Sequence, residues 1–539
     1  AHPLSLLNLL NVFIFKSVSL ILIIFGIYFS LKFIKKYAIK YKIKFDNNFV
    51  LIISFILLFF VAASPITHAD SLSYHLNTAL NLIINNGHNN DILPFNDKLG
   101  GGGEILIAFG LSFGLQQFGG LLQFSSLFSL IPIFKEKKKN KNLIFIIIIL
   151  FTPVTIFLIS SPKPQLMPCI ATLIVFSYFI KYYNKSHNIN LINFILTSML
   201  FINFIIKFNF ILSSSIIILV LIYENSLIKN KFKFLLTTFI AALLIVFPLF
   251  LYRLKIYDVS ILNLFISPLP LNIYGYENFH HVLTGDEKAK NIFNLIYPNS
   301  LGELSTIYGP AFLLIFFINI KQLNHRIKVY LFLLSVFFII GIIYGSSLNR
   351  FYFEIFICLL FILSIIGFKS PILKKYIIKY FYFQSFIVFI GCIFFAFKLF
   401  PGSLNEKFYK NMMHNSADGY SLISWANNYL DDDDVVLSYS RSITLFKVDA
   451  YFQDLTWYIN LKNKDSYKYI NFLKRKKINR LVYSGKDLEL GEFKNCVGRE
   501  IAQKENIGRK VGRNPFNKGA RYNGWIFEFK YENLPACLF

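Results

Sequence analysis

At 539 residues, 55% of them hydrophobic and only 16% charged, the chain is too apolar to fold as a single soluble core. Its formal net charge of +26 does not point to nucleic acid, because most Lys and Arg sit in short clusters between apolar runs, where they encode membrane topology. The composition therefore predicts an α-helical polytopic membrane domain of about twelve spans over residues 1–400, followed by a small C-terminal α/β soluble domain over 401–539.

The chain does not begin with Met, and residues 1–15 lack the charged, apolar and cleavage regions of a signal peptide. They are read as belonging to the mature membrane domain or as a truncated start. Apolar runs then predict spans at about 17–34, 49–66, 105–134, 142–161, 165–183, 190–206, 208–223, 235–253, 304–320, 329–345, 351–368 and 380–399. The 105–134 run is too long for one straight helix, and Gly110, Gly114 and Gly119-Gly120 predict that it bends or divides in two.

The segments between these runs alternate in charge. One set holds Lys35, Lys36, Lys40, Lys42 and Lys44, then Lys135 and Lys137 to Lys139, then Lys229, Lys231 and Lys233. It continues with Lys321, Arg326 and Lys328 and ends with Lys369, Lys374 and Lys375, whereas the other set has only scattered cations. The positive-inside rule makes the basic set cytoplasmic and puts loops 67–104 and 254–303 and the whole tail after 400 outside. The expected location is a bacterial inner membrane, with the tail on its periplasmic or extracellular side.

In the tail, Val435 to Tyr439, Ile478 to Ser484 and Trp525 to Tyr531 read as strands, with a Lys-rich helix near 465–477 between the first two. Of the five cysteines, Cys169, Cys358 and Cys392 lie in apolar spans and read as small buried residues. Cys496 and Cys537 both fall in the tail, where an oxidising compartment permits a disulfide between them.

The first outer loop carries the densest chemistry, Thr67-His68-Ala69-Asp70-Ser71-Leu72-Ser73-Tyr74-His75-Leu76. At helical spacing Leu72, Leu76, Leu80 and Ile83 form an apolar stripe, with Asp70, Ser73, Tyr74 and Asn77 opposite. That predicts an amphipathic helix on the membrane surface with a carboxylate in its first turn. Two explanations of Asp70 stay open at this point: helix capping, which favours Asp at such a position, and a catalytic site.

A span ending outside, an Asp in the loop helix directly after it, many further spans and an outer C-terminal domain resemble the GT-C superfamily. These membrane glycosyltransferases take sugars from polyprenyl-phosphate carriers; the layout is similar to protein O-mannosyltransferases and lipid A aminoarabinose transferases. The resemblance covers most of the membrane domain in layout but few sharp residues, because such enzymes often carry Asp-Glu where this chain has Asp70-Ser71. The Asp70, Tyr74 and His75 spacing looks like that of a bacterial subgroup. It implies inverting transfer of a sugar to an acceptor hydroxyl, with Asp70 as general base and Tyr74 and His75 orienting acceptor or base.

The other candidates follow from that frame. The run Gly100 to Gly103 lets backbone approach a ligand or simply turns into the next span, and Glu104 is a second acid or a helix-terminal charge. Lys163, held in Ser161-Pro162-Lys163-Pro164, and Arg253, Lys255 and Arg350 beside Tyr352 are outer-side cations suited to a carrier phosphate or to lipid headgroups, Lys163 foremost. His280-His281 beside Asp286-Glu287 lack a closed metal-ligand pattern, so no metal site is expected, and the long loop reads as a lid. No cofactor is implied, and a need for divalent cation stays open. The implied partners are a polyprenyl-phosphate sugar donor, membrane lipids, and a glycan, lipid or protein acceptor. A lipid-linked-glycan transporter would place its ionisable residues mid-membrane and a polysaccharide polymerase or ligase would show an arginine-rich outer loop, neither of which the pattern displays.

Overall fold

The run Leu143–Leu150, five of whose eight residues are isoleucine, would favour a strand by propensity alone, yet it is helical. In apolar surroundings the backbone must satisfy its own hydrogen bonds, and a helix does so without a partner segment. The same rule shapes most of the chain before residue 400. A computed structural model describes residues 9–38, 45–87, 101–134, 143–182, 189–207, 210–227, 231–257, 295–297, 307–344, 349–366, 371–453, 466–511, 518–534 and 536–537.

Three described helices are long and apolar enough to cross a membrane, Val12–Lys32, Lys231–Leu251 and Ile378–Ser403. About twelve spans are not supported, since among the described residues only these three are both long and apolar enough, and many of the other apolar helices run to only 10–17 residues. Specific breaks contribute to this. The expected 142–161 span divides at Thr152, ahead of the helix Pro153–Ile159. The 105–134 stretch does divide, with Gly102–Leu111 and Phe118–Ser126 separated by a turn in which Gly114 takes φ +75°. The expected span at 304–320 is the 3-10 helix Gly309–Phe317 instead.

The apolar face of the loop helix is packed within the protein. The helix opens as a π-turn, Ser71–His75, continued by Leu76–Ile84. Its buried stripe is Leu72, Leu76, Ala79 and Leu82, while Leu80 and Ile83 are only partly buried. A π-turn closes one residue later than an α-turn, so a stripe projected at constant α spacing drifts off the observed one. The stripe packs in one cluster with Ile105, Ile107 and Ala108 and with Leu399, Met412 and Met413. The loop helix is thus packed with both the membrane-domain helix Gly102–Leu111 and the start of the C-terminal region.

That region is α/β. Its mixed sheet has the order β2-β1-β3-β5-β4, where β1 is Val435–Ser438, β2 Asp449–Phe452, β3 Arg480–Gly485, β4 Val497–Val511 and β5 Lys518–Phe529. β1 runs parallel to β2 and β3, and β5 lies antiparallel between β3 and β4. Helices Tyr420–Ala426 and Ser466–Arg475 bury Leu422, Ile423, Phe472 and Leu473 against the sheet. A disulfide joins Cys496 to Cys537. Thr444, just past β1, donates its hydroxyl to the Leu72 carbonyl at 2.7 Å, so the sheet's loops rest on the π-turn.

Candidate functional site

Asp70 has a helical backbone conformation, φ −60° and ψ −35°, and its side chain makes no capping hydrogen bond to the π-turn. The capping explanation therefore lacks its defining contact. Both carboxylate oxygens are instead engaged by cations. Lys163 Nζ lies 2.7 Å from Oδ2 and Arg441 Nη2 lies 2.9 Å from Oδ1. Lys163 is 1% exposed and Asp70 7%. An ion pair this buried is held by mutual need: removing one partner typically costs about 3–5 kcal/mol, because a desolvated charge is left behind.

Lys163 is positioned by a turn whose polar groups converge on one side chain. Gln123 donates its amide to the carbonyls of Leu158 and Ser161, both at 2.8 Å. Its oxygen accepts the backbone N–H groups of Gln165 at 3.2 Å and Leu166 at 2.8 Å. Glycines crowd the same turn. A Cβ at Gly103 would overlap the ring of Pro164, and one at Gly119 would lie 2.6 Å from Pro162 Cβ. Gly103 therefore serves close packing against the proline turn, while Gly101 and Gly102 pack closely against Ile205; Gly100 lies outside the described residues.

Phe157 gathers further charge. Lys163 Nζ sits 5.0 Å and Arg350 Cζ 5.3 Å from its ring centroid, and the His68 ring meets it edge-on at 5.0 Å. Gln165 ties the group together, donating to the Arg350 carbonyl and accepting from Lys207 Nζ at 3.2 Å. Lys163, Arg350 and Arg441, with Lys207 beside Gln165, thus lie in a neighbourhood whose carboxylates include Asp70, Glu104, Glu354 and Asp418. The two cations that meet on the Asp70 carboxylate are suited to an anionic ligand.

His75 does not pair with Asp70 but with Glu104, Nδ1 to Oε1 at 2.8 Å. Glu104 also accepts the Gly101 N–H at 2.6 Å, so it is at once a helix-terminal charge and a site acid. His75 Nε2 is buried with no hydrogen-bond partner among the described residues. Burial lowers the His75 pKa below its ordinary value, partly offset by the hydrogen bond and charge of Glu104, while Lys163 and Lys207 lower it further. The neutral ring, donating through Nδ1 to a carboxylate, leaves Nε2 as an acceptor. Tyr74 packs its ring on His75, centroids 4.1 Å apart.

Of the sequence candidates, Asp70, Tyr74, His75, Glu104, Lys163 and Arg350 come together. Tyr352 lies with its ring edge-on to Phe338 in the apolar core. Arg253 and Lys255 have side chains outside the described residues, as do His280, His281, Asp286 and Glu287. No group of three or more His, Cys, Asp or Glu able to hold a metal occurs among the described residues.

Sequence reasoning missed Arg441, Gln123, Phe157 and Lys207. Arg441 follows the carboxyl end of β1, a strand with parallel neighbours on both sides, and ligand sites of open α/β sheets favour that edge. That was the available signal.

Two family models together match the chain from residue 27 to its last residue: the DUF1420 N-terminal domain over 27–413 and the DUF1420 C-terminal domain over 414–539. The chain belongs to the DUF1420 family. No curated protein matches it. The family boundary falls inside the helix Glu406–Ser416, somewhat later than the composition shift at 400. The charged site straddles that boundary, with Asp70 and Lys163 in the DUF1420 N-terminal domain and Arg441 in the C-terminal one.

Proposed function

We propose that this DUF1420 protein transfers a sugar from a polyprenyl-phosphate-linked donor to an acceptor hydroxyl at the outer face of a membrane, with Asp70 as general base. The observation that carries the reading is the buried Asp70 carboxylate set among Lys163 and Arg441, with Arg350 sharing the Phe157 ring beside Lys163. In the proposed step the acceptor oxygen bonds to the anomeric carbon and its proton passes to Asp70. The bond from that carbon to the phosphate oxygen breaks, and the phosphate leaves with the electron pair. The cations offset the charge that builds on the departing phosphate. His75, held by Glu104, orients the acceptor by accepting a hydrogen bond at Nε2 from one of its hydroxyls.

The three long helices support a membrane protein, which the proposal places in a bacterial inner membrane. Lys32 ends the first with Lys35 and Lys36 just beyond, Lys374 and Lys375 precede the third, and the second starts at Lys231 and Lys233, although Arg253 and Lys255 follow its other end. With those ends cytoplasmic, the third helix delivers the C-terminal domain to the outer side. The test is Asp70→Asn, assayed for sugar transfer from polyprenyl-phosphate donors with the purified protein in nanodiscs. Turnover is expected to fall about 100-fold or more, the usual scale for a lost base. Activity within a few-fold of wild type would remove Asp70 from the chemistry.

A further inference from the structure

The two cations on Asp70 are each anchored without its help. Lys163 rides on the turn that Gln123 staples, with Phe157 beneath its ammonium group. Arg441 sits in the loop after β1, where Ser440 N–H donates to Ser438 Oγ at 3.0 Å and Ser442 Oγ donates to the Asp418 carbonyl at 2.7 Å. Its guanidinium lies over the Phe452 ring at 5.9 Å. Thr444, in the same loop, is tied to the Leu72 carbonyl at 2.7 Å. Two backbones thus hold an ammonium and a guanidinium facing one another across a pair of carboxylate oxygens. A carboxylate and a phosphate present such cations with the same kind of target, two oxygens on one centre sharing negative charge.

We infer that Lys163 and Arg441 form a binding site for a phosphate ester, that Asp70 fills this site when no phosphate is bound, and that the two anions compete for the same cations. Phosphate arriving between Lys163 and Arg441 takes over their charge and leaves Asp70 free to accept a proton. The base is then released only when the leaving group is in place. Arg441 makes this exchange the point at which the C-terminal domain enters the site. The inference rests on the proposed function only in identifying the phosphate as that of the sugar donor.

The competition has a signature that a simple base does not share. With the full chain in nanodiscs, sugar-free polyprenyl phosphate is titrated against wild type, Asp70→Asn, Lys163→Met and Arg441→Met. Asp70→Asn is expected to bind it about 10-fold more tightly, and each cation variant about 10-fold more weakly or worse, as charge-assisted contacts are gained or lost. Phosphate should also raise the thermal stability of Asp70→Asn by more than that of wild type, since it replaces the missing charge. That second measurement serves if the unliganded variant folds poorly. Unchanged or weaker phosphate affinity in Asp70→Asn, or equal stabilisation of both proteins, overturns the exchange. Parallel titrations with inorganic phosphate and with nanodiscs carrying phosphatidic acid separate a free anion from a lipid headgroup. Because no sugar is present, an intact exchange without sugar transfer would sink only the proposed reaction, and turnover without competition would sink only the exchange.

Discussion

His75 and Asp70 lie five residues apart on one short segment, yet the structure gives them opposite surroundings. Asp70 is met by two cations, whereas His75 is enclosed with a carboxylate on one nitrogen and, among the described residues, no hydrogen-bond partner on the other. That contrast has a consequence for acid stability. Burial lowers the His75 pKa in the folded state below its ordinary 6.5, with Glu104 opposing and Lys163 and Lys207 adding to the effect. As pH falls, the unfolded chain therefore takes up this proton first. The stability linked to His75 is present above about 6.5 and lost as pH falls through the folded value. Buried Asp418 works in the other sense, since burial raises its pKa and protonation favours the fold, but only in the more acid carboxylate range. The wild-type melting temperature is expected to drop between pH 7 and 5, and His75→Gln, which cannot titrate, to show a shallower drop. Equal slopes for the two proteins would mean that the ring titrates alike in the folded and unfolded chain.

Elements matter here for how tightly they meet. The loop helix, the helix Gly102–Leu111 and the proline turn converge because Gly103 has no side chain to hold Pro164 away. Proline cannot rotate out of the way, so an added methyl group must shift the turn that carries Lys163. Gly103→Ala is expected to lose about 1–3 kcal/mol of stability, the range for overpacking, and to weaken polyprenyl-phosphate binding along with it. Thermal unfolding and the same nanodisc titration check this. A variant with unaltered melting and affinity would show that the turn tolerates displacement and that Gly103 has another purpose. Gln123 shows the same logic in polar form, because one buried side chain satisfies four backbone groups of the turn.

For the whole molecule the testable quantity is sidedness. The lysine-bearing ends of the three long helices and the disulfide between Cys496 and Cys537 both fit a C-terminal domain on the oxidising side. Reporter fusions after residues 90 and 420 are expected to behave as exported. In protein purified without reductant, Cys496 and Cys537 are expected to resist alkylation until reduced. A cytoplasmic reporter signal at either position would move the charged site to the other side and separate it from an extracytoplasmic sugar donor.

Much of this molecule was legible along the chain because the relevant physics is local. Apolar runs marked the helices, and the strand-like segments near 435, 480 and 525 coincide with β1, β3 and β5. The flanking prolines singled out Lys163, and the composition shift marked the C-terminal domain. Helix length was less legible, because breaks such as the one at Thr152 lie within continuously apolar sequence and average hydropathy does not see them. The partnerships of the site were not legible at all. Lys163 meets Asp70 across 93 residues, and Arg441 arrives from another domain. His75 turned to Glu104 through a π-turn whose extra residue no fixed periodicity anticipates. Which charges occur is written in the sequence; which of them share a desolvated space is decided by packing, since only the folded chain removes the water that would otherwise keep them apart.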